Sequence, residues 1–262
     1  MFYNMFNFYC YSTFLCIFVA KNLAVCKEMD KKRKYNPYVS VDCVVFGFDG
    51  KDLNVLLIER HIQENNDEYS DKKLPGSIIY MDENLDEAAS RVLTELTGLK
   101  NIPLSQFHSF GDPHRSGNPH DVFWLEETTH TKIERIVTVG YVALIKINRK
   151  IKFNAEDKSA SWHLVGNIEK TRLAFDHLTI IQKGLEYIKH WLGIEPKLMF
   201  KLLPRKFTLS QLRLLYDAAN QTRSDVRNFQ KKAMQCKHLV LLDEVEKHVP
   251  HRAARLYKYR SN

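Results

Sequence analysis

Hydrophobic and polar positions along the chain fall into two rhythms, and their change of period marks out the elements. "YVSVDCVVFGF" (38–48) and "LNVLLIER" (53–60) run apolar with partial alternation, and "DGKD" between them supplies an Asp-Gly turn, so a β-hairpin is predicted. The polar "HIQENNDEYSDKK" (61–73) reads as a loop, whereas "IPLSQFHSFGD", "IVTVGYVALIKI" and "ASWHLVG" are three further strand candidates. Between the first two of these lies "PHRSGNPHDVFWLEETTHTKIER" (113–135), rich in turn residues and aromatics and read as a long insertion loop. Helical period appears in "DENLDEAASRVLTELTG" (82–98): acids in the first turn, Leu85, Ala88, Ala89, Val92, Leu93 and Leu96 at helical spacing, and Gly98 at the end. "AFDHLTIIQKGLEYIKHWLG" (174–193) predicts a second helix with Ile180, Ile181, Leu185, Ile188 and Leu192 on one face. Asp176 and His177 are expected to fix its start, as cap and hydrogen-bond partner.

Past a proline-bounded connection, "IEPKLMFKLLPRK" (194–206), the rhythm is helical again. Thr208 is a good N-cap for "FTLSQLRLLYDAAN", which presents Leu209, Leu212, Leu215 and Ala219 on one side. A break at "QTRS" leads into "DVRNFQKKAMQC", and "HLVLL" and "ARLYKYR" follow as two strands around a charged turn. Helix, turn, basic helix and hairpin is the order of a winged helix-turn-helix. The fold class expected is therefore α+β: a mixed β-sheet flanked by helices over residues 29–193, a linker over 194–206 and a small winged helix over 207–262. Residues 1–28 form an apolar, aromatic leader without a basic n-region. Its longest apolar stretch, "FLCIFVA", is too short to span a bilayer. "MDKKRKYNPYVSVD" from Met29 reads as a natural start, so the leader is expected to stand outside the working protein, with no membrane partner.

Charge sharpens this division. Of the net +8, residues 201–262 hold fourteen Lys/Arg against five Asp/Glu, while residues 1–200 hold twenty-five against twenty-six. A basic tail behind a neutral body points to nucleic acid. On "VRNFQKK", Arg227 and Lys231 share one face and Asn228 and Lys232 another, with Phe229 left to anchor the helix. Arg pairs with guanine and Asn with adenine in the major groove, while Lys231 and Lys232 suit phosphates. Thr208, Ser210, Arg223, Arg252 and Arg255 complete the DNA-contact candidates, the last two near the wing. Cysteines 10, 16, 26, 43 and 236 have no metal-ligand spacing and read as unpaired thiols of a reducing compartment. Histidines 108, 114, 120, 130 and 177 suit no compact metal site, and no glycine-rich phosphate loop follows a strand. Neither metal nor cofactor is expected.

"SIIYMDENLDEAASRVLTELTGL" fits one long pattern: Gly, five residues, Glu, seven residues, Arg-Glu, an aliphatic, any residue, Glu-Glu, any residue, Gly, an aliphatic. Ser77 replaces the first Gly, and Glu83, Arg91, Leu93, Glu95, Gly98 and Leu99 match. This is the Nudix box, and the stretch resembles that family. In Nudix hydrolases the helical acids hold divalent ions against a diphosphate. Val92 and Leu96 stand where two of those glutamates belong, so hydrolysis is expected to be lost, with Glu83 and Arg91 left as a loop-to-helix brace. A hydrolase using other acids, such as Glu126 or Glu127, with a basic nucleic-acid-binding tail is the alternative.

With the basic tail in view, residues 38–259 resemble the NrtR-type Nudix-related transcriptional regulators of bacteria. The resemblance rests on "YVSVDCVVFGFDG", "MDENLDEAASRVLTELTGL", "AFDHLTII", "LLPRKFTLSQLRLLYDA", "RNFQKK" and "ARLYKY". "RVLTELTGL" is especially similar to the arabinose-responsive, AraR-like branch, while other branches sense ADP-ribose. The resemblance implies a cytoplasmic, nucleoid-associated homodimer that binds operator double-stranded DNA. It also implies a small-molecule effector: a sugar, a sugar phosphate or an ADP-ribose-like metabolite. "GDPHRSGNPHDVFW" departs from the "DRDP"-like segment expected of the sugar-responsive relatives. The effector pocket is expected between the sheet, the insertion and the box helix, with Arg115 and Arg135 as polar contacts and Phe123 and Trp124 for stacking.

Overall fold

The computed structural model describes residues 33–64, 67–130, 132–147, 159–195, 197–247, 249–250 and 252–260. The leader 1–28 lies outside them. The central strand β1 (Tyr35–Phe48) is buried without interruption from Ser40 to Phe48, which explains why its apolar residues alternate so weakly. β2 (Leu53–Glu64) turns back on it through Gly50, whose φ of 106° only glycine adopts cheaply. Asp49 fastens that turn by accepting from the Lys51 and Asp52 amides, both at 2.8 Å.

The predicted loop 61–73 is instead strand: β2 runs on to Glu64, and β3 (Asp67–Lys73) pairs antiparallel with it. Its polar sequence hid it, because the residues that β3 buries are Asp71 and Lys73 rather than aliphatics. β4 (Gly76–Tyr80) pairs with β1, while β5 (Ser105–Phe110) and β6 (Val137–Lys146) continue the sheet in the order β3-β2-β1-β6-β5. β1 and β6 are parallel, and β7 (Ala160–Leu164) pairs with β2.

Strand alternation divides β1 between two layers. Val41, Cys43 and Val45 pack with α1 (Leu85–Thr97) through Ala88, Ala89, Val92 and Leu93. Val44, Phe46 and Phe48 pack on the other side with Ile180, Ile181 and Ile188 of α3 (His177–Ile194). α1 begins in a capping box between Asn84 and Glu87 and ends at Gly98 in the left-handed conformation, as its sequence signals indicated.

The insertion is no open loop. It holds α2 (Pro119–Thr129), with Asn118 as N-cap and Pro119 in the first turn. The connection after α3 is likewise packed. Its short helix α4 (Lys197–Lys201) and the two leucines that follow bury Met199, Leu202 and Leu203 in the same core as Ile188 and Leu192. That core continues into Phe207, Leu212, Leu215 and Tyr257 of the winged helix, built from α5 (Leu209–Asn220), α6 (Val226–Ala233), β8 (Leu239–Val245) and β9 (Arg255–Tyr259). Phe207 and Tyr257 exchange backbone hydrogen bonds at 3.0 and 2.8 Å, tying the entry of the winged helix to its hairpin. Among the described residues no helix is long and apolar enough to cross a membrane.

Candidate effector site and nucleic-acid interface

Position by position, α1 carries the Nudix pattern as structure. Val92 is wholly buried among the sheet's aliphatics and Leu96 packs half-buried beside them. Glu83 accepts from the Tyr80 amide at 2.8 Å and from two Arg91 nitrogens at 2.6 and 2.8 Å. Burial alone would raise its carboxyl, but the Arg91 and Tyr80 hydrogen bonds hold it below the usual range. Arg91 reaches on to Glu95 at 2.9 Å and lies 4.3 Å over the Tyr80 ring, so the expected brace is present. The neighbouring acids are engaged too: Asp86 accepts from the Tyr141 hydroxyl at 2.6 Å and Glu87 closes the capping box. Glu126 caps the Ile133 amide at 2.8 Å, and Glu127 is exposed on α2. Among the described residues no group of three or more His, Cys, Asp or Glu side chains is placed to hold a metal ion.

A cavity opens on the opposite face of the sheet, away from the box helix. Its ionisable lining comes from Asp42, Lys73, Arg115 and His177, and its apolar lining includes Trp124 and Phe175. Asp42 points here because it shares the face of Val44 and Phe46. It accepts from the Thr138 hydroxyl at 2.7 Å and lies 3.6 Å from Arg115 and 3.5 Å from His177 Nε2. Burial opposes its ionisation, but His177, Arg115 and Thr138 together hold the carboxyl far below the ordinary range. His177 accepts the Leu74 amide at Nδ1, 3.0 Å away, which leaves the ring proton on Nε2 facing Asp42. Arg115 also forks onto Asp176 at 2.8 and 3.2 Å.

α2 roofs the cavity and is latched from beneath. Asp121 accepts from Arg60 at 2.5 Å and from the Phe175 amide at 3.0 Å, and Arg60 forks onto Asp71 at 2.8 and 2.5 Å. Phe175 has a φ of 51°, a strained conformation for an aromatic residue at the entry to α3.

The sequence candidates divide between this cavity and the surface. Arg115 and Trp124 line the cavity, but Arg135 is exposed and donates to the Gly111 carbonyl at 3.2 Å, and Phe123 is half-buried outside the lining. The box helix does not line this cavity, from which the sheet separates it. Asp176 sits at the N-cap position of α3 without capping it, its carboxylate being taken by Arg115. Asp42, Lys73 and His177 went unrecognised as a group because they lie far apart in sequence. The signal available was a charged residue inside an otherwise buried strand, "SVDCVV".

In the winged helix, Thr208 is buried and its hydroxyl accepts from the Gln211 amide at 3.2 Å; it is a helix cap and presents no surface to DNA. Ser210, Arg223, Arg227, Asn228, Lys231, Lys232, Arg252 and Arg255 are all exposed. Phe229 anchors α6 by packing on Tyr216, ring centroids 5.6 Å apart, so Arg227 and Lys231 project from the side facing away. Asp225 caps α6 by accepting from the Asn228 amide at 2.9 Å. Arg252 lies between β8 and β9, and Arg255 opens β9. Cys43 is buried and Cys236 exposed, both as free thiols.

A Nudix fold whose helix lacks clustered acids, joined to a winged helix with an exposed basic helix, defines a two-part protein of the Nudix-regulator class. Residues 36–183 match the NUDIX domain and residues 199–259 the NrtR DNA-binding winged helix domain. The chain belongs to the NUDIX domain family and carries the winged helix of the NrtR regulators. One relative is the ADPR responsive transcriptional repressor NtrR of Acinetobacter baylyi, 26% identical over 226 residues, covering 86% of this chain and 82% of that protein. Another is the ADP-ribose pyrophosphatase of Methanocaldococcus jannaschii, 29% identical over 164 residues, covering 62% of this chain and 85% of that one. The crystal structure of Shewanella oneidensis NrtR complexed with a 27mer DNA superposes with a TM-score of 0.58 at 22% identity, covering 85% of this chain and 93% of that chain. That likeness establishes the fold.

Proposed function

We propose that this protein is an effector-responsive DNA-binding transcriptional regulator whose Nudix domain senses a phosphorylated sugar metabolite of the ADP-ribose type without hydrolysing it. The observation that carries the reading is the pairing of a box helix with Val92 in the core with an exposed basic helix α6 anchored by Phe229. Mg²⁺ or Mn²⁺ bound against a diphosphate needs clustered carboxylates, and here Glu83 and Glu95 are both engaged by Arg91. The effector binds at the cavity on the α3 face, which at about 30 Å³ must widen to take it, and the repressor and pyrophosphatase relatives support ADP-ribose chemistry over a free sugar. The working form is a homodimer, since one winged helix reads few base pairs and twofold operators match twofold proteins.

Gel-shift titrations of operator and random duplexes at two salt concentrations test the DNA half. Arg227→Ala loses about 1–3 kcal/mol on the operator alone and relaxes sequence preference, whereas Lys232→Ala weakens binding to all duplexes alike and lowers the salt slope. An Arg227→Ala protein that binds the operator as wild type does would remove α6 from the reader's role.

A further inference from the structure

The cavity on the α3 face is lined by one buried cation that makes no direct ion pair among the described residues. Lys73 is buried, and its ammonium donates to the carbonyl oxygens of Leu74 and Gly76, at 3.3 and 2.9 Å. Among the described residues no carboxylate oxygen lies within 4.0 Å of Lys73 Nζ, because each nearby acid is committed elsewhere. Asp42 faces Arg115 and His177, Asp176 is forked by Arg115, and Asp71 and Asp121 share Arg60. A buried ammonium held directly only by carbonyl dipoles, with Asp42 and Asp71 acting from beyond ion-pair distance, is costly, and a fold that needed nothing but packing would place an apolar residue there. The Trp124 ring, 5.1 Å from Nζ, adds cation–π attraction but no countercharge.

We propose that Lys73 is the anion-recognising residue of the effector cavity, its ammonium pairing with a phosphate oxygen of the ligand while the ligand's sugar lies against Trp124. The assignment rests on the effector-site reading given above and adds to it the residue that selects a phosphate-bearing sugar over a neutral one. Burial pushes Lys73 down to about 8, as expected of an ammonium whose counter-ion has still to arrive. Arg115, turned toward both Asp42 and Asp176, is already neutralised, which leaves Lys73 to make the selection.

Thermal shift and calorimetry on the full chain with ribose, ribose 5-phosphate, ADP-ribose and inorganic phosphate test this. At least one phosphate-bearing probe raises the wild-type Tm while ribose does not. Lys73→Met binds that probe roughly 30-fold or more weakly, as expected when one member of a buried charge pair is removed. Ribose 5-phosphate against ADP-ribose separates a simple sugar phosphate from the dinucleotide-like source of the same chemistry. Without ligand, Lys73→Met is as stable as wild type or more so, because an uncompensated buried charge has gone. A lysine that served only to brace the Leu74 and Gly76 carbonyls would leave that variant less stable, and this result overturns the proposal. An equal response to ribose, or no Lys73-dependent response to any of the four probes, also overturns it. DNA binding that still depends on Arg227 would then show that the regulator reading survives and only the ligand assignment has failed.

Discussion

The two faces of the sheet have been treated in opposite ways. On the α1 face, the positions that a Nudix hydrolase gives to acids hold Val92 in the core and Leu96 beside it, and the remaining glutamates are tied to Arg91. On the α3 face, charged side chains are buried at and beneath one cavity: Asp42, Arg115 and Lys73 in its lining, and Arg60, Asp71 and Asp121 as a triad under α2. Burying charge opposes stability unless it is paired, and packing an aliphatic favours it. The α1 face is thus packed chiefly with aliphatics, while the α3 face keeps buried charge. On the proposed reading, the box helix is scaffold and the effector is sensed across the sheet from it.

The largest effect is expected from unpairing the triad. Arg60→Met leaves Asp71 and Asp121 buried together without a cation, and chemical denaturation should show a loss of about 3–5 kcal/mol. A loss below 1 kcal/mol would mean that α2 is not latched by this triad and that the cavity lacks a fixed roof.

Next comes the pH dependence of the Lys73 site. Its folded-state value is about 8, against an ordinary 10.5. Below pH 8 the folded protein holds a proton that the unfolded chain binds more tightly, so the full penalty applies there. Between pH 8 and 10.5 the unfolded chain binds more protons, and stability rises with pH. Asp42, Asp71, Arg60 and Cys43 face the same group; the cations and anions among them partly cancel. The stability gap between Lys73→Met and wild type should close by an amount on the order of 3 kcal/mol across that window. A gap that is flat from pH 7 to 10.5 would mean that Lys73 is not buried as a free cation.

The α1 face should answer more mildly. Glu83→Gln loses charge-assisted hydrogen bonds at the half-buried Arg91 and is expected to cost about 1–2 kcal/mol, with Mg²⁺ giving no additional stabilisation to wild type over the variant. Mg²⁺ that stabilised wild type but not Glu83→Gln would return the box to metal binding and reverse the contrast between the two faces.

Much of the fold was legible because its signals are local. Asn84, Glu87 and Gly98 bound α1, Thr208 and Gln211 cap α5, and Asp49 and Gly50 make the first turn; each works through hydrogen bonds within a few residues. What escaped notice was held by distant polar partners. α2 buries Asp121, Leu125 and Thr129 at helical spacing, but Asp121 belongs inside only because Arg60, 61 positions away, meets it. β3 looked like a loop because its buried residues, Asp71 and Lys73, are charged. The cavity lining draws on both, with Lys73 from β3 and Trp124 from α2. Gly76 shows the same limit: a side-chain carbon there would sit 1.8 Å from Asp42 Oδ1, a contact that nothing local reveals.

The central claim is that the Nudix half senses and the winged helix acts. It is tested most directly by following one sample of the full chain with ADP-ribose and Mg²⁺, measuring affinity for an operator duplex selected from genomic DNA together with hydrolysis of the ligand's pyrophosphate bond. The account predicts that ADP-ribose shifts operator affinity by roughly 5-fold or more, the ordinary size of allosteric coupling, with the ligand recovered intact. Turnover in the ordinary enzymatic range of about 1–10³ s⁻¹, with operator affinity unchanged by ADP-ribose, would contradict it.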